Sequence, residues 1–250
     1  MDKGTVIITG GASGIGLAAA RRLRNGGWRV ALMDRDQGAL ARAADEIGAD
    51  GTTTHVVDVT DETAVAEAVS EAAAAGPVRG LVNSAGIAAD VPLAETSAAL
   101  FRKILDVNVV GSFLLVRSVV PLMEAAGGGA IVNIASVSGM KGNTGRTAYG
   151  ASKGAVITMT KVMAVELAAN GIRVNAVAPG PVDTPMVQAV HTSAARETWL
   201  RHVPMRRYGV PDEIAGGIVY LLDDSLSSYV TGHILAVDGG FVAGGTVRPM

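Results

Sequence analysis

The 250-residue chain contains no cysteine. Disulfides, thiol nucleophiles and zinc–thiolate sites are therefore excluded. It also lacks any block of basic residues. Its 21 Lys and Arg stand against 23 Asp and Glu, a formal net charge of −2, so it has no electrostatic footprint for nucleic acid. No stretch approaches the ~18 uninterrupted apolar residues of a membrane span, and no membrane partner is expected. Met1-Asp2-Lys3-Gly4 runs straight into Thr5-Val6-Ile7-Ile8, and glycines interrupt the apolar run from Gly10. That leaves no leader pattern, and a cytoplasmic setting is the expectation. The four histidines, His55, His191, His202 and His233, show no metal-ligand spacing, so no metal is expected. Charged residues make up 18% of the chain and hydrophobic ones 49%, which fits a compact core and argues against disorder.

What is present is an alternation. Short β-branched runs are read as strands at 5–9, 29–34, 53–57, 78–82, 130–135, 172–177 and 233–237. Longer Ala-rich patterns between them are read as helices at 15–25, 39–47, 63–75, 98–123, 147–169 and 212–222. Parallel strands need crossover connections, so this order predicts an α/β fold: a doubly wound parallel sheet, Rossmann-like, between two helical layers. No composition break marks a linker, and 1–250 reads as a single domain. Residues 179–210 form the one long segment without a strand.

Thr9-Gly10-Gly11-Ala12-Ser13-Gly14-Ile15-Gly16 sits between the first strand and the first helix. Glycines there let the backbone turn sharply and approach a pyrophosphate, while the helix start offers free N–H groups and a positive dipole end. An ordinary flexible turn is the plain alternative. Asp34 ends the second strand about 20 residues further on, where a carboxylate can accept from both ribose hydroxyls and repel a 2′-phosphate. A solvated strand-end aspartate is the alternative. Arg35 leaves a phosphate contact open. NAD is the cofactor favoured, because no basic residue occupies Gly11, Ala12 or Ser13.

Tyr149 and Lys153 lie four residues apart at the start of a long helix, one turn apart on one face. A free phenol has a pKa near 10, so about one in a thousand is ionised at pH 7. A nearby ammonium favours the phenolate. An exposed helical pair with no chemistry is the rival reading of this spacing alone.

The glycine loop, Asn83-Ser84-Ala85-Gly86, Asn108, Ser136 and Tyr149-x-x-x-Lys153 together resemble the short-chain dehydrogenase/reductase family, from Thr5 to about Gly240. The resemblance implies hydride transfer between NAD(H) and a secondary alcohol or ketone, with Tyr149 as general acid and base. It implies that Ser136, thirteen residues before Tyr149, orients the substrate oxygen. Lys153 would lower the tyrosine pKa and hold the nicotinamide ribose. Asn108 would anchor a water for proton relay, and its poor helix propensity hints independently at a local role. Asp58 and Val59 would contact the adenine, with Asn83, Ala85 and Gly86 also lining the cofactor. Ser84 departs from the family's second Asn. Pro179, Gly180, Val182 and Thr184 would face the nicotinamide. A substrate lid is expected at about 184–206, and Trp199 is read there as packing more than as a substrate contact.

Ala88, Val137, Ser138, Met140 and Asn143 are candidate pocket residues, a mixed wall that suggests neither a steroid nor a phosphorylated substrate. A polyol or sugar alcohol is the substrate lead. An NADPH-dependent 3-oxoacyl-thioester reductase is the alternative within the family. A non-catalytic nucleotide-binding scaffold is the alternative outside it. A homotetramer is expected, with 98–123 and 147–169 at one interface and the closing strand with 239–250 at a second.

Overall fold

The computed structural model describes residues 3–244. Its centre is one seven-stranded sheet, every pair parallel, in the order β3-β2-β1-β4-β5-β6-β7. The strands are β1 (Thr5–Thr9), β2 (Arg29–Asp34), β3 (Thr52–Val56), β4 (Val78–Asn83), β5 (Gly129–Ile134), β6 (Ile172–Pro179) and β7 (Ile234–Val237). Strands β1, β5 and β6 are buried along their whole length, which is why they read as continuous rather than alternating apolar runs. The doubly wound α/β expectation holds.

Helices α1 (Gly14–Asn25), α2 (Gln37–Ile47) and α9 (Pro211–Leu222) cover one face, where Leu23, Leu40 and Ile218 meet Ile8, Leu32 and Val132. Helices α3 (Glu62–Ala73), α4 (Ala98–Leu105), α5 (Gly111–Ala125) and α6 (Thr147–Leu167) lie on the other, where Val69, Leu115 and Met163 meet Ile7, Leu81 and Ile131. Each fully buried Leu or Ile contributes roughly 1.5–3 kcal/mol of hydrophobic stabilisation. Asp36, Asp61 and Ser97 cap α2, α3 and α4 by accepting from the N–H of Ala39, Ala64 and Leu100.

Two differences from the sequence reading bear on the site. First, the helix expected over 98–123 is not regular. Between α4 and α5 it widens into a π-helical turn over Asp106–Val110, with Asn108 buried at its centre. Such turns insert an extra residue and occur often at functional sites. The continuous run Ala98–Ala125 is long and apolar enough by composition to cross a membrane, yet it packs against α3, α6 and β4 as a core helix. Second, the strandless segment 179–210 contains α7 (Pro185–Val190) and α8 (Ser193–His202), followed by a single bridge of Val182 to Gly209. Helix α10 (Asp224–Ser227) precedes β7. Of the tail assigned to a second interface, 245–250 lies outside the described residues.

Candidate active site

The strand order reverses between β1 and β4, so the loops leaving their carboxyl ends diverge to opposite faces and leave a crevice. The buried Thr9 hydroxyl fixes this junction by accepting from the N–H groups of Ser84 and Ala85, both at 3.1 Å. A cavity of about 950 Å³ opens there. Its wall includes Gly10, Ser13, Gly14, Ile15, Asp34, Arg35, Asp58, Val59, Ala85, Gly86, Ser136, Tyr149, Lys153, Pro179, Gly180, Val182 and Thr184. Residues from every expected cofactor segment thus converge on one space.

Three residues expected at the site stand behind this wall. Gly16 lies inside α1, where a Cβ would strike the Gly10 carbonyl oxygen, so it permits close packing of helix on loop. Asn83 points into the core, donating to Asn133 Oδ1 at 2.9 Å and to the Ser112 carbonyl at 3.2 Å. Asn108 clamps the loop after β4 to α6. Its Oδ1 accepts from the Ile87 N–H at 2.8 Å, and its Nδ2 donates to the Ile87 carbonyl and to Ser152 Oγ, both at 3.0 Å. Both N–H donors are thereby used, so a water at this side chain would have only the remaining oxygen lone pair. Gly16→Ala is expected to cost about 1–3 kcal/mol through overpacking, lowering the melting temperature by several degrees in a thermal unfolding scan.

The cavity's chemistry suits a dinucleotide. Ser13 stands at the N-cap of α1, and its side chain makes no capping bond, unlike the caps of α2, α3 and α4. The first N–H groups and dipole end of α1 are left for an external anion. Asp34 keeps its carboxylate at the cavity, accepting weakly from Ala12 N–H at 3.4 Å and from Asp36 N–H at 3.2 Å. Hydrogen bonds from the Thr60 backbone and hydroxyl hold the Asp58 carboxyl below its usual range, and the Arg35 charge adds to this. Arg35 lines the same wall, and its charge acts on the Asp58 carboxyl.

At the other end, Ser136 caps the turn after β5 by accepting from Ser138 N–H at 3.1 Å. Burial pushes the Tyr149 phenol above its ordinary pKa, while a hydrogen bond with Ser136 and the charge of Arg146 pull it down. Lys153 donates to the Ile134 carbonyl at 2.7 Å and lies 5.8 Å from the Tyr149 ring centroid. Burial lowers its amine to about 8. The expected pairing of the two side chains on one face is present, and Arg146 adds a second cation beside the phenol ring, its guanidinium carbon 5.4 Å from the centroid.

A small side pocket of about 60 Å³ adjoins the cavity. Of the residues considered for the substrate wall, Ala88, Val137 and Ser138 line it, together with Val187, Val190, His191 and Trp199 from α7 and α8 and the turn between them. Met140 and Asn143 lie off it; Asn143 reaches Ser138 Oγ at 3.1 Å. Trp199 both lines the pocket and packs, its ring stacked on His191 with centroids 6.0 Å apart and 5.1 Å from Phe241. Sequence reasoning passed over Arg146. Its one signal was the i, i+3 spacing to Tyr149, since its partner His191 is 45 residues away.

Fold and site define an oxidoreductase that takes a nicotinamide dinucleotide. A sequence profile described as enoyl-(acyl carrier protein) reductase matches residues 10–242. Galactitol 2-dehydrogenase (L-tagatose-forming) of Cereibacter sphaeroides is 46% identical, covering 96% of each chain. A 3-oxoacyl-[acyl-carrier-protein] reductase of Thermotoga maritima is 41% identical, over 94% of this chain and 96% of that protein. The structure of a 3-ketoacyl-(acyl-carrier-protein) reductase from Brucella melitensis complexed with NADH superposes with a TM-score of 0.91 at 33% identity, over 96% of this chain and 99% of that one. The chain belongs to the short-chain dehydrogenase/reductase family.

Proposed function

We propose that this protein interconverts a polyol or sugar alcohol and its ketose at a secondary carbinol, using NAD(H). One observation carries the reading: Ser136 and Tyr149 line both the large cavity and the side pocket, so their hydroxyls stand at the boundary between cofactor space and substrate space. The nicotinamide ring, when bound, supplies or accepts the hydride. The phenolic oxygen of Tyr149 gives its proton to the ketone oxygen in reduction and takes it from the alcohol in oxidation. Ser136 donates to that same oxygen and fixes its position. Lys153 anchors on Ile134 and keeps its amine on the cofactor side of the phenol ring.

The side pocket lies far below the ~300 Å³ at which ligand sites begin. Substrate is therefore admitted by displacement of α7 and α8, which close again and exclude water. The mixed polar wall of Ser138, Arg146 and His191 suits a hydroxylated substrate, and the galactitol dehydrogenase relative supports the choice. Exposed Val162 and Val165 on α6 (49% and 81%) and Phe113 on α5 (42%) support assembly as a homotetramer through these helices.

The relative from Thermotoga maritima favours a second reading, an NADPH-dependent 3-oxoacyl-thioester reductase. A panel of galactitol, other polyols, hydroxy acids, cyclic alcohols and an acetoacetyl thioester, followed by NADH fluorescence, separates the two. The expected result is the highest kcat/KM on a polyol. A tenfold advantage for the thioester would replace the proposed reading with the second.

A further inference from the structure

Two cations flank the Tyr149 ring, and they are not equivalent. The Lys153 amine, lowered to about 8 by burial, loses its charge as the pH rises through that value. A guanidinium does not. Arg146 is 8% exposed, an unusual depth for arginine, and its guanidinium carbon lies 5.4 Å from the Tyr149 ring centroid. Its Nη2 is 2.6 Å from His191 Nε2 and forms an ion pair with Asp90 at 3.5 Å.

The surroundings are built to hold it. Gly145 has φ +75°, and a Cβ there would occupy the place of the Asp90 carboxylate; the Gly145 carbonyl accepts from Val91 N–H at 2.9 Å. The loop carrying Asp90 is thereby pressed against the start of α6. From the opposite side, His191 at the end of α7 presents Nε2 to Arg146 and Nδ1 to the Tyr208 hydroxyl at 2.9 Å. Burial and the Arg146 charge push the His191 pKa down, so its ring stays neutral and accepts from the guanidinium. The groups around the phenol are thus Arg146 at the N-cap of its helix, Lys153 one turn into that helix and Ser136 from the turn after β5, with His191 lining the same side pocket. Asp90 acts through Arg146.

We propose that Arg146 is the permanent cation of the site: a positioning residue for Tyr149, held by Asp90 from one loop and by His191 from the lid. The proposal rests on Tyr149 as the acid–base group. Lid closure then does more than exclude water, because it brings the histidine that fixes the guanidinium against the phenol ring.

The test needs no substrate. The chain has four tyrosines, Tyr149, Tyr208, Tyr220 and Tyr229. With ¹³Cζ-labelled tyrosine, the signal absent from Tyr149→Phe identifies Tyr149, and its shift is followed against pH. Arg146→Gln is expected to raise the titration midpoint by about one unit or more, the scale of losing a neighbouring opposite charge. Asp90→Asn, at an exposed carboxylate that offsets Arg146, is expected to lower it by a few tenths. A residue that only braces the fold would reduce stability in Arg146→Gln and leave the midpoint in place; that result overturns the proposal. Should collapse of the other three tyrosine signals show Arg146→Gln unfolded, Asp90→Asn decides, and an unmoved midpoint there overturns it equally. Turnover retained in Tyr149→Phe would instead remove the acid–base reading, a separate failure read in a separate assay.

Discussion

Tyr149→Phe is expected to lower kcat by at least ~10²-fold and to leave NADH affinity nearly unchanged. The substitution removes one oxygen and keeps the ring that packs beneath Arg146 and beside Lys153. Both cation contacts to the ring face survive it. The cavity that would take the dinucleotide is built mainly from other segments, so cofactor affinity has little reason to change. What goes is a proton transfer made only in the transition state, so kcat and kcat/KM should fall together. The lost hydroxyl is one that burial penalises when ionised, and the melting temperature should stay within a few degrees. Fluorescence titration with NADH, steady-state rates and a thermal melt check the three parts. Retention of more than a tenth of the wild-type kcat would mean that another group manages the proton.

The same residues show how far the sequence could be read. Alternating elements with a glycine loop after the first strand require a parallel sheet with a crevice where the order reverses, and this put Gly10, Gly14, Asp34, Tyr149 and Lys153 around one cavity. Asn83 was harder. It is the last residue of β4 and pairs with Asn133 of β5 in register, so its side chain meets another strand's amide in the core. That partnership appears only once the sheet order is known. The π-helical turn at Asp106–Val110 was hidden because one extra residue barely disturbs a helical apolar pattern; the low propensity of Asn108 was its sole trace. Arg146 was hidden for a different reason. Its environment is assembled from Asp90 and His191, which no local pattern connects to it. Lys153, expected to act on the phenol, does stand beside it, 5.8 Å from the Tyr149 ring centroid, with its amine lowered by burial to about 8.

NADH is expected to outperform NADPH by tenfold or more in kcat/KM, and Asp34→Asn to bring that ratio close to one. The carboxylate closes β2 at the cavity wall, where the ribose of an adenosine would sit if its pyrophosphate occupied the uncapped start of α1. Hydrogen bonds to a charged acceptor are worth about 1.5–3 kcal/mol. Removing the charge should therefore raise KM for NADH roughly ten- to a hundredfold. A 2′-phosphate meets the opposite problem. Two like charges 4 Å apart repel by about 4 kcal/mol at an effective dielectric of 20. The amide introduced by Asp34→Asn lifts that repulsion and leaves Arg35 free to approach the phosphate, so kcat/KM with NADPH should rise as that with NADH falls. The amide also keeps an oxygen for the Asp36 N–H, so the turn into α2 stays intact and only the weak bond from Ala12 N–H is lost with the charge. Should wild-type enzyme favour NADPH tenfold, the carboxylate does not select the cofactor, and the reductase reading gains what the polyol reading loses.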